Sequence, residues 1–473
     1  MIVRDEAMIA NVARILVVPK DVHSHRICTD FSYSAEGEVS INDLLDDFFT
    51  KTCFPNLFDL VVRAKKAGSR GFVAACDGKS YYRQFELLWE HRKFFGYKWL
   101  GRVIVDGRLP FGISNATQHV QNFSNGLVEI FEAAYLADRP DLWDATLPYI
   151  DDFAFFAPTR ADADLMVQRF QSCCDVLGVK LGPDKFKPPA PVNKILGFIF
   201  DLPNQCVHIP GDKIDKAKQK IRNLLNNSFT RKELESAIGL VQWISQVAFP
   251  LKAMLRPLRN LIHHIPHTSR CLLRLSANAR KAAHWFLNVV DDLNSCPFDV
   301  ILGGTALSAK KIFSDASNKG LGFWSTDEYF FSSWSSLPVP WNSFEFADIG
   351  AREMLAAVIF MTSAHVNNTN LNFWIDNTTA HWAFWKLDSK NRLVLLLLQV
   401  AAKIAIKRGF RWFSRWLSSA DNSAADALSR LDINEARRLF ATKQIKPRFT
   451  EPNWAFLLEL CQQEDPAFPH GWL

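Results

Sequence analysis

Two adjacent carboxylates, Asp151 and Asp152, stand between Leu147-Pro148 and the apolar run Phe153-Ala154-Phe155-Phe156. Apolar residues on both sides read as two short strands with the acidic pair at the tip between them. A tight hairpin points both side chains toward one small volume. Their repulsion there calls for an external positive charge, and a divalent metal is the usual one. The competing reading is a polar turn with two solvated aspartates, since Asp is an ordinary turn residue. What else the chain brings to the same place decides between them.

A length of 473 residues favours roughly two to four domains, each able to bury a core. Composition is that of an ordinary globular protein, without disordered or collagenous bias. The net charge of +6 is only a hint of a polyanionic partner. Phe and Trp are plentiful, which suits large cores and also surfaces that stack on bases. Nine cysteines include the neighbours Cys173 and Cys174 but no C-x-x-C pair. They read as reduced core thiols of an intracellular protein. Arg4, Asp5 and Glu6 leave no apolar stretch for a secretion signal. The longest apolar run, Leu393 to Ala402, is broken by Gln399 and followed by Lys403. It is too short to cross a bilayer and reads as a buried helix, so no membrane association is expected.

Residues 12–32 read as a strand, a Lys20-Asp21 turn and a second strand, Arg26 to Phe31. Residues 43–68 look helical, Phe72 to Cys76 is a short strand ending on Asp77, and 114–136 is helical after the Leu109-Pro110-Phe111-Gly112 turn. After the Asp-Asp hairpin a helix covers 160–177, with Val167, Phe170, Cys174 and Leu177 at helical spacing. A Pro-rich patch leads to a strand from Lys194 to Phe200, and 212–290 is helical throughout. A composition change near 295–305 marks a domain boundary. Strands are expected over 311–316, 319–326 and 328–334, then a helix over 346–364, a strand over 370–376 and further helices.

Asp77, at the end of its strand, is a natural third carboxylate for the Asp151-Asp152 pair. Three such groups could hold two Mg²⁺ ions about 4 Å apart, activating a 3′-hydroxyl and steadying a leaving pyrophosphate. Six segments in order resemble the fingers and palm of reverse transcriptases. They are Val17-Val18-Pro19-Lys20 with Arg26-Ile27-Cys28-Thr29-Asp30; Asp77 with Tyr81-Tyr82-Arg83-Gln84; Leu109-Pro110-Phe111-Gly112-Ile113; Tyr149-Ile150-Asp151-Asp152; Leu181-Gly182-Pro183-Asp184-Lys185; and Ile195-Leu196-Gly197. The resemblance implies roles by position. Asp77, Asp151 and Asp152 would bind metal, with the Gly78 backbone assisting. Tyr82 would be the steric gate against a ribose 2′-hydroxyl, beside Phe111 and Gly112 in the nucleotide site. Arg26 and Lys20 would clamp the triphosphate, Arg by its planar fork, and Lys185 would meet the triphosphate or protonate pyrophosphate. Lys20 and Lys185 also read as ordinary surface lysines. Residues 212–262 would be the thumb, with Lys213, Lys216 and Lys220 on one face toward a duplex backbone; a solvated basic face is the alternative.

A second acidic set follows: Asp315 ending a strand, Glu353 within a helix, Asp376 ending another strand and Asp426 in Ala424-Ala425-Asp426-Ala427-Leu428-Ser429-Arg430. Singly these are cap or helix-face residues. Together they resemble the four-carboxylate, two-metal site of ribonuclease H, where water attacks a phosphodiester in line. The family's histidine shortly before the last aspartate is missing; the matching stretch is Arg415-Trp416-Leu417-Ser418-Ser419, and His381 follows Asp376 too closely to replace it.

The expected fold is therefore an α+β right-hand polymerase (fingers, palm and thumb) followed by an α/β ribonuclease H-like domain with a mixed sheet. The boundaries are 1–205 for fingers and palm, 206–295 for thumb and connection, 305–432 for the ribonuclease H-like domain, and 433–473 for a tail without a readable motif. The resemblance implies RNA- and DNA-directed DNA synthesis, with cleavage of RNA in RNA–DNA hybrids. Expected cofactors are two Mg²⁺ per site, with Mn²⁺ as an alternative. Expected partners are RNA template, DNA primer, RNA–DNA hybrid and deoxynucleoside triphosphates. Asp30-Phe31-Ser32 before Val39-Ser40-Ile41-Asn42-Asp43, Phe95-Gly96-Tyr97-Lys98-Trp99, and Ala425-Asp426-Ala427-Leu428-Ser429-Arg430 resemble DIRS-type retrotransposons, with Gypsy-type elements second. The chain reads as a polyprotein fragment or a degenerate copy, with little ahead of Val12. The rival readings are a catalytically silent, domesticated nucleic-acid-binding remnant and an RNA-dependent RNA polymerase.

Overall fold

The computed structural model describes residues 9, 12–19, 25–34, 39–45, 54–263, 271–302, 309–363, 366, 370–466 and 468–469. The chain divides into two compact units, Met1–Val207 and His208–Leu473.

The first unit runs β1 (Val12–Pro19), β2 (His25–Asp30), α1 (Leu57–Ala67), β3 (Phe72–Asp77), β4 (Gly96–Trp99), β5 (Arg102–Val105), α2 (Ala116–Ile130), β6 (Thr146–Tyr149), β7 (Asp152–Ala157), α3 (Arg160–Leu177), β8 (Lys187–Ala190), β9 (Val192–Ile195) and β10 (Phe198–Asp201); β11 (Cys206–His208) lies at the division. One sheet has the order β2-β1-β4-β5 and another the order β6-β7-β3-β8. Every pairing in the second is antiparallel. β7 is apolar without alternation because both of its faces are covered. On one face Phe170 of α3 meets Phe153 and Phe155 with ring centroids 4.8 and 5.2 Å away; on the other Phe156 meets Phe200 at 5.7 Å. Cys173 and Cys174 are buried in the same core, and burial pushes the Cys174 thiol up to about 12.

Three local expectations are corrected. Of the helix expected over 43–68, residues 46–53 lie outside the described residues, Asn42–Leu44 form a single 3-10 turn, and α1 begins at Leu57, where Asn56 and Asp59 form a reciprocal capping box. The strand expected over 194–200 is a hairpin of β9 and β10, because Leu196 and Gly197 both take positive φ (45° and 90°) and turn the chain back. In the acidic hairpin Tyr149 pairs with Asp152. The two-residue turn is therefore Ile150-Asp151, and Asp152 is the first residue of β7 instead of sharing the tip.

The second unit begins with α4 (Gly211–Asn226), α5 (Arg231–Ile244), α6 (Leu255–His263) and α7 (Ala277–Val289). The continuous helicity expected over 212–290 is thus broken, at 227–230 by the capping box that Thr230 and Glu233 form to start α5. There follow β12 (Ser295–Pro297), α8 (Phe298–Leu302), β13 (Lys310–Ala316), β14 (Gly320–Trp324), β15 (Glu328–Ser333), α9 (Ile349–Phe360), β16 (Leu371–Ile375), α10 (Thr378–Lys386), α11 (Arg392–Arg408), β17 (Trp412–Trp416), α12 (Ser423–Ser429), α13 (Ile433–Thr442), β18 (Arg448–Phe449) and α14 (Trp454–Glu464). They build one six-stranded sheet of order β17-β16-β13-β14-β15-β18. It is mixed: β13-β14-β15 are antiparallel, while β13-β16-β17 and β15-β18 are parallel. Leu393 to Ala402 lies in α11 and is buried, and among the described residues no helix is long and apolar enough to cross a membrane.

The segment 433–473 is no loose appendage. β18 extends the sheet, and Trp454, Leu457, Leu460, Cys461 and Phe468 join the core formed by α9 and α11. Its periodicity is too short, and its strand too brief, to be read locally.

Candidate active sites

In the first unit β3 and β7 lie side by side with Asp77 directly opposite Asp152. Asp77 is the buried end of an otherwise apolar strand, so its carboxylate surfaces only at the strand end. Asp151 sits beside it at the turn, where its carbonyl accepts from the Gly78 N–H at 2.7 Å. Burial, then the charges of Asp151 and Asp77, push Asp152 up to about 6. Strand pairing therefore puts Asp77 opposite Asp152 with Asp151 at the adjoining turn, near enough for their charges to act on Asp152, but the three carboxylates do not close to within 4.8 Å of one another.

The hairpin carrying Asp151 is strained. Ile150 has φ 55°, a conformation that costs a β-branched residue on the order of 1–3 kcal/mol. Two α2 side chains hold it there. Gln121 donates to the Pro148 carbonyl (3.1 Å) and accepts from the Ile150 N–H (2.8 Å). Ser124 Oγ donates to the Ile150 carbonyl at 2.5 Å and lies 3.1 Å from the Tyr81 hydroxyl. Sequence reasoning missed both residues; a polar pair on the buried face of an amphipathic helix is the signal that could have found them. Gln121→Ala removes two buried bonds from the turn. It should lower unfolding stability by about 2–3 kcal/mol, read as a lower urea midpoint with an unchanged slope.

Lys185 is the cation already present. Its ammonium donates to both oxygens of Asp77, at 2.6 and 2.7 Å, with the lysine half exposed and the carboxylate almost wholly buried. Desolvation draws the ammonium down, but the Asp77 bonds and the three carboxylate charges outweigh it, so the net shift is upward. A buried carboxylate flanked by two half-buried ones, whose charge captures a long side chain's ammonium, suits a cation. Asp77, Asp151, Asp152 and Lys185 line a cleft of about 1100 Å³ together with Tyr82 and Phe111. The rings of Tyr82 and Phe111 are 4.9 Å apart, and the Tyr82 hydroxyl donates to Thr117 Oγ1 at 3.2 Å. That bond holds the phenol as a fixed wall.

Other nucleotide-site expectations are revised. The Gly78 N–H donates to the Asp151 carbonyl and braces the hairpin, which leaves open the backbone role expected of Gly78 beside a metal, since a metal would take its carbonyl oxygen. A Cβ on Gly78 would lie 2.2 Å from the Tyr81 ring. Gly112 has φ 109°, and a Cβ there would lie 1.9 Å from the Thr29 carbonyl. Only glycine lets this turn pack on β2. Lys20 lies outside the described residues, and so does the side chain of Arg26, whose backbone belongs to β2.

In the second unit Asp315 (β13), Glu353 (α9) and Asp376 (after β16) each offer a carboxylate oxygen within 4.8 Å of the others. Burial pushes Asp315 up to about 6; the Ser429 hydroxyl, donating at 2.5 Å, opposes this and the charges of Asp376 and Asp426 add to it. Burial, then the charges of Asp315 and Asp376, hold Glu353 well above the usual carboxylate range. Its Oε2 is buried without a hydrogen-bond partner among the described residues. An orphaned carboxylate oxygen facing two more carboxylates fits a divalent metal. Asp426 is held apart from this trio: its carboxylate takes the Arg430 guanidinium at 2.7 Å. His381 is bonded to Ser414 Oγ at 2.9 Å.

No protein-family model matches the chain, and no curated protein is significantly similar to it. Among solved structures it is similar to the foamy viral protease-reverse transcriptase. With an RNA/DNA hybrid, that protein matches at 14% identity and a TM-score of 0.49, over 86% of this chain and 50% of that one. Its dRH form with double-stranded DNA matches at 13% and 0.46, over 86% and 66%. A third structure, with double-stranded DNA, matches at 14% and 0.42, over 86% and 78%. The chain spans between half and two thirds of the length of the first two. Function is therefore read from the geometry of the two centres.

Proposed function

We propose that the chain is a retroelement reverse transcriptase, with a polymerase centre in the first unit and a ribonuclease H centre in the second. The pairing of Asp77 with Asp152 across β3 and β7, with Asp151 at the adjoining turn, carries the reading. Asp77, Asp151 and Asp152 would hold two Mg²⁺, or Mn²⁺, and metal there supplies charge stabilisation to the attacking and leaving oxygens of nucleotidyl transfer. The chain's own residues do the rest. Tyr82 and Phe111 wall the sugar side of the incoming deoxynucleoside triphosphate. Lys185, now on Asp77, would on release pair with the triphosphate. Asp315, Glu353 and Asp376, with Asp426 on release from Arg430, would hold metal for hydrolysis of RNA in a hybrid.

Primer extension tests this reading. Purified protein given a primed RNA template and Mg²⁺ should extend with deoxynucleotides; no extension overturns it, and extension with ribonucleotides alone indicates an RNA polymerase. Tyr82→Ala should raise ribonucleotide incorporation by about tenfold or more, since the wall excludes by clash; unchanged sugar selectivity removes the gate role. The pairing of Asp426 with Arg430, and the lack of histidine in 415–419, favour a second reading: a nuclease-silent remnant that still binds nucleic acid. Hybrid cleavage decides between them. The lineage reading remains DIRS-type first and Gypsy-type second, in an intracellular setting; a neighbouring tyrosine recombinase or integrase frame distinguishes the lineages.

A further inference from the structure

α13 and the segment after it wall a groove of about 470 Å³ against β15. Its floor is the Tyr329 ring, with Phe440 at 5.6 Å, and Phe449 stands beside the groove, edge-on to Tyr329 at 5.7 Å. Phe449 is 50% exposed, and its exposure is imposed by the backbone, because β18 pairs Phe449 with Tyr329 at the sheet edge. The rim carries Arg437 and Lys446, both exposed and neither in an ion pair among the described residues, while the Lys443 ammonium lies 5.9 Å over the Trp324 ring. Nearby acids are committed elsewhere. Glu435 pairs with Arg438 at 2.6 Å, Asp327 lies 3.4 Å from Lys310, and Asp432 caps α13 by accepting from the Glu435 N–H at 3.1 Å.

Flat rings beneath a rim of one sign match an unstacked base and its phosphates. We infer that this groove binds a segment of single-stranded nucleic acid, bases stacking on Tyr329 and on Phe449 beside it and phosphates meeting Arg437 and Lys446. A duplex keeps its base faces hidden and offers the rings nothing. A proline-rich peptide would use the rings but not the cations. Tyr329 pairs with Trp324, and Trp324 with Phe313, two residues before Asp315. Two strand spacings and two residues put the groove roughly 12 Å from Asp315. A single strand leaving that centre could therefore be held there. Binding itself does not rest on either centre being active.

The test uses the full chain carrying Asp151→Asn and Asp376→Asn, so that catalysis plays no part. A short single-stranded RNA substituted with 5-iodouridine is irradiated on the protein and the adduct mapped by mass spectrometry. The expected adduct is on Tyr329 or Phe449. By fluorescence anisotropy Phe449→Ala should weaken single-strand binding about tenfold, Phe449→Trp should restore it, and duplex binding should be unchanged. Lys446→Glu, at an exposed position where folding is not at stake, should lower the salt slope of single-strand binding by about one. Adducts confined to other residues, or equal losses for duplex and single strand, overturn the proposal. So does a concentration-dependent self-association abolished by Lys446→Glu, because the groove then seats a second copy of the chain.

Discussion

Asp151→Asn should lower primer extension by about a thousandfold while hybrid cleavage stays at the parental rate. Asp151 is half-buried at a turn, and Asn is its near-isostere, so the substitution keeps shape, volume and the braced carbonyl. It removes one negative charge from a set of three. If the set holds metal against developing charge, loss of one ligand forfeits several kcal/mol of transition-state stabilisation, and each 1.36 kcal/mol is about tenfold in rate. Extension within about tenfold of the parent would mean that the hairpin is a structural turn after all. Equal loss of cleavage would mean that the two centres are not independent.

Glu353→Gln should abolish hybrid cleavage and yet stabilise the metal-free protein at neutral pH. In the folded chain burial pushes Asp315 up to about 6, and Glu353 is also held well above its usual range by burial and by Asp315 and Asp376. Their unfolded values are about 4. Raised acids favour folding below the unfolded value, and that contribution is lost as pH rises through the folded one. The second unit of the metal-free parent should therefore melt at a lower temperature at pH 7.5 than at pH 5, and added Mg²⁺ should close the gap. Glu353→Gln, which carries no charge to lose, should flatten the pH dependence and blunt the Mg²⁺ response. Differential scanning calorimetry with EDTA or Mg²⁺ reads both. A variant that melts lower than the parent at pH 7.5 in EDTA would show that the carboxylate is a stabilising element and not a strained one.

Much of this was legible along the chain. Asp77 ends an apolar strand, Asp315 is the penultimate residue of β13 and Asp376 directly follows β16, and a short strand-like run stopping at or beside a carboxylate can be read without any partner in view. Glu353 was legible as the one acid in the apolar run of α9. Local signals failed where a local rule was overridden or incomplete. The 194–200 strand was misread because its Leu196-Gly197 turn interrupts a run that is apolar on both sides. The 433–473 segment looked motif-free because its strand has two residues and its helices are short.

The sequence by itself determined the inventory: seven acids at strand ends and in helices, their order, and the strand–turn–strand that presents Asp151. It could do so because backbone periodicity and turn chemistry act over a few residues. The tertiary structure alone decided which groups meet. Lys185 reaches Asp77 across 108 positions, Ser429 reaches Asp315 across 114, and Gln121 grips Ile150 across 29. It also joined the tail to the sheet. Charge interactions and hydrogen bonds fall off within a few ångströms, so they depend on distances in space, which only packing of the whole chain sets.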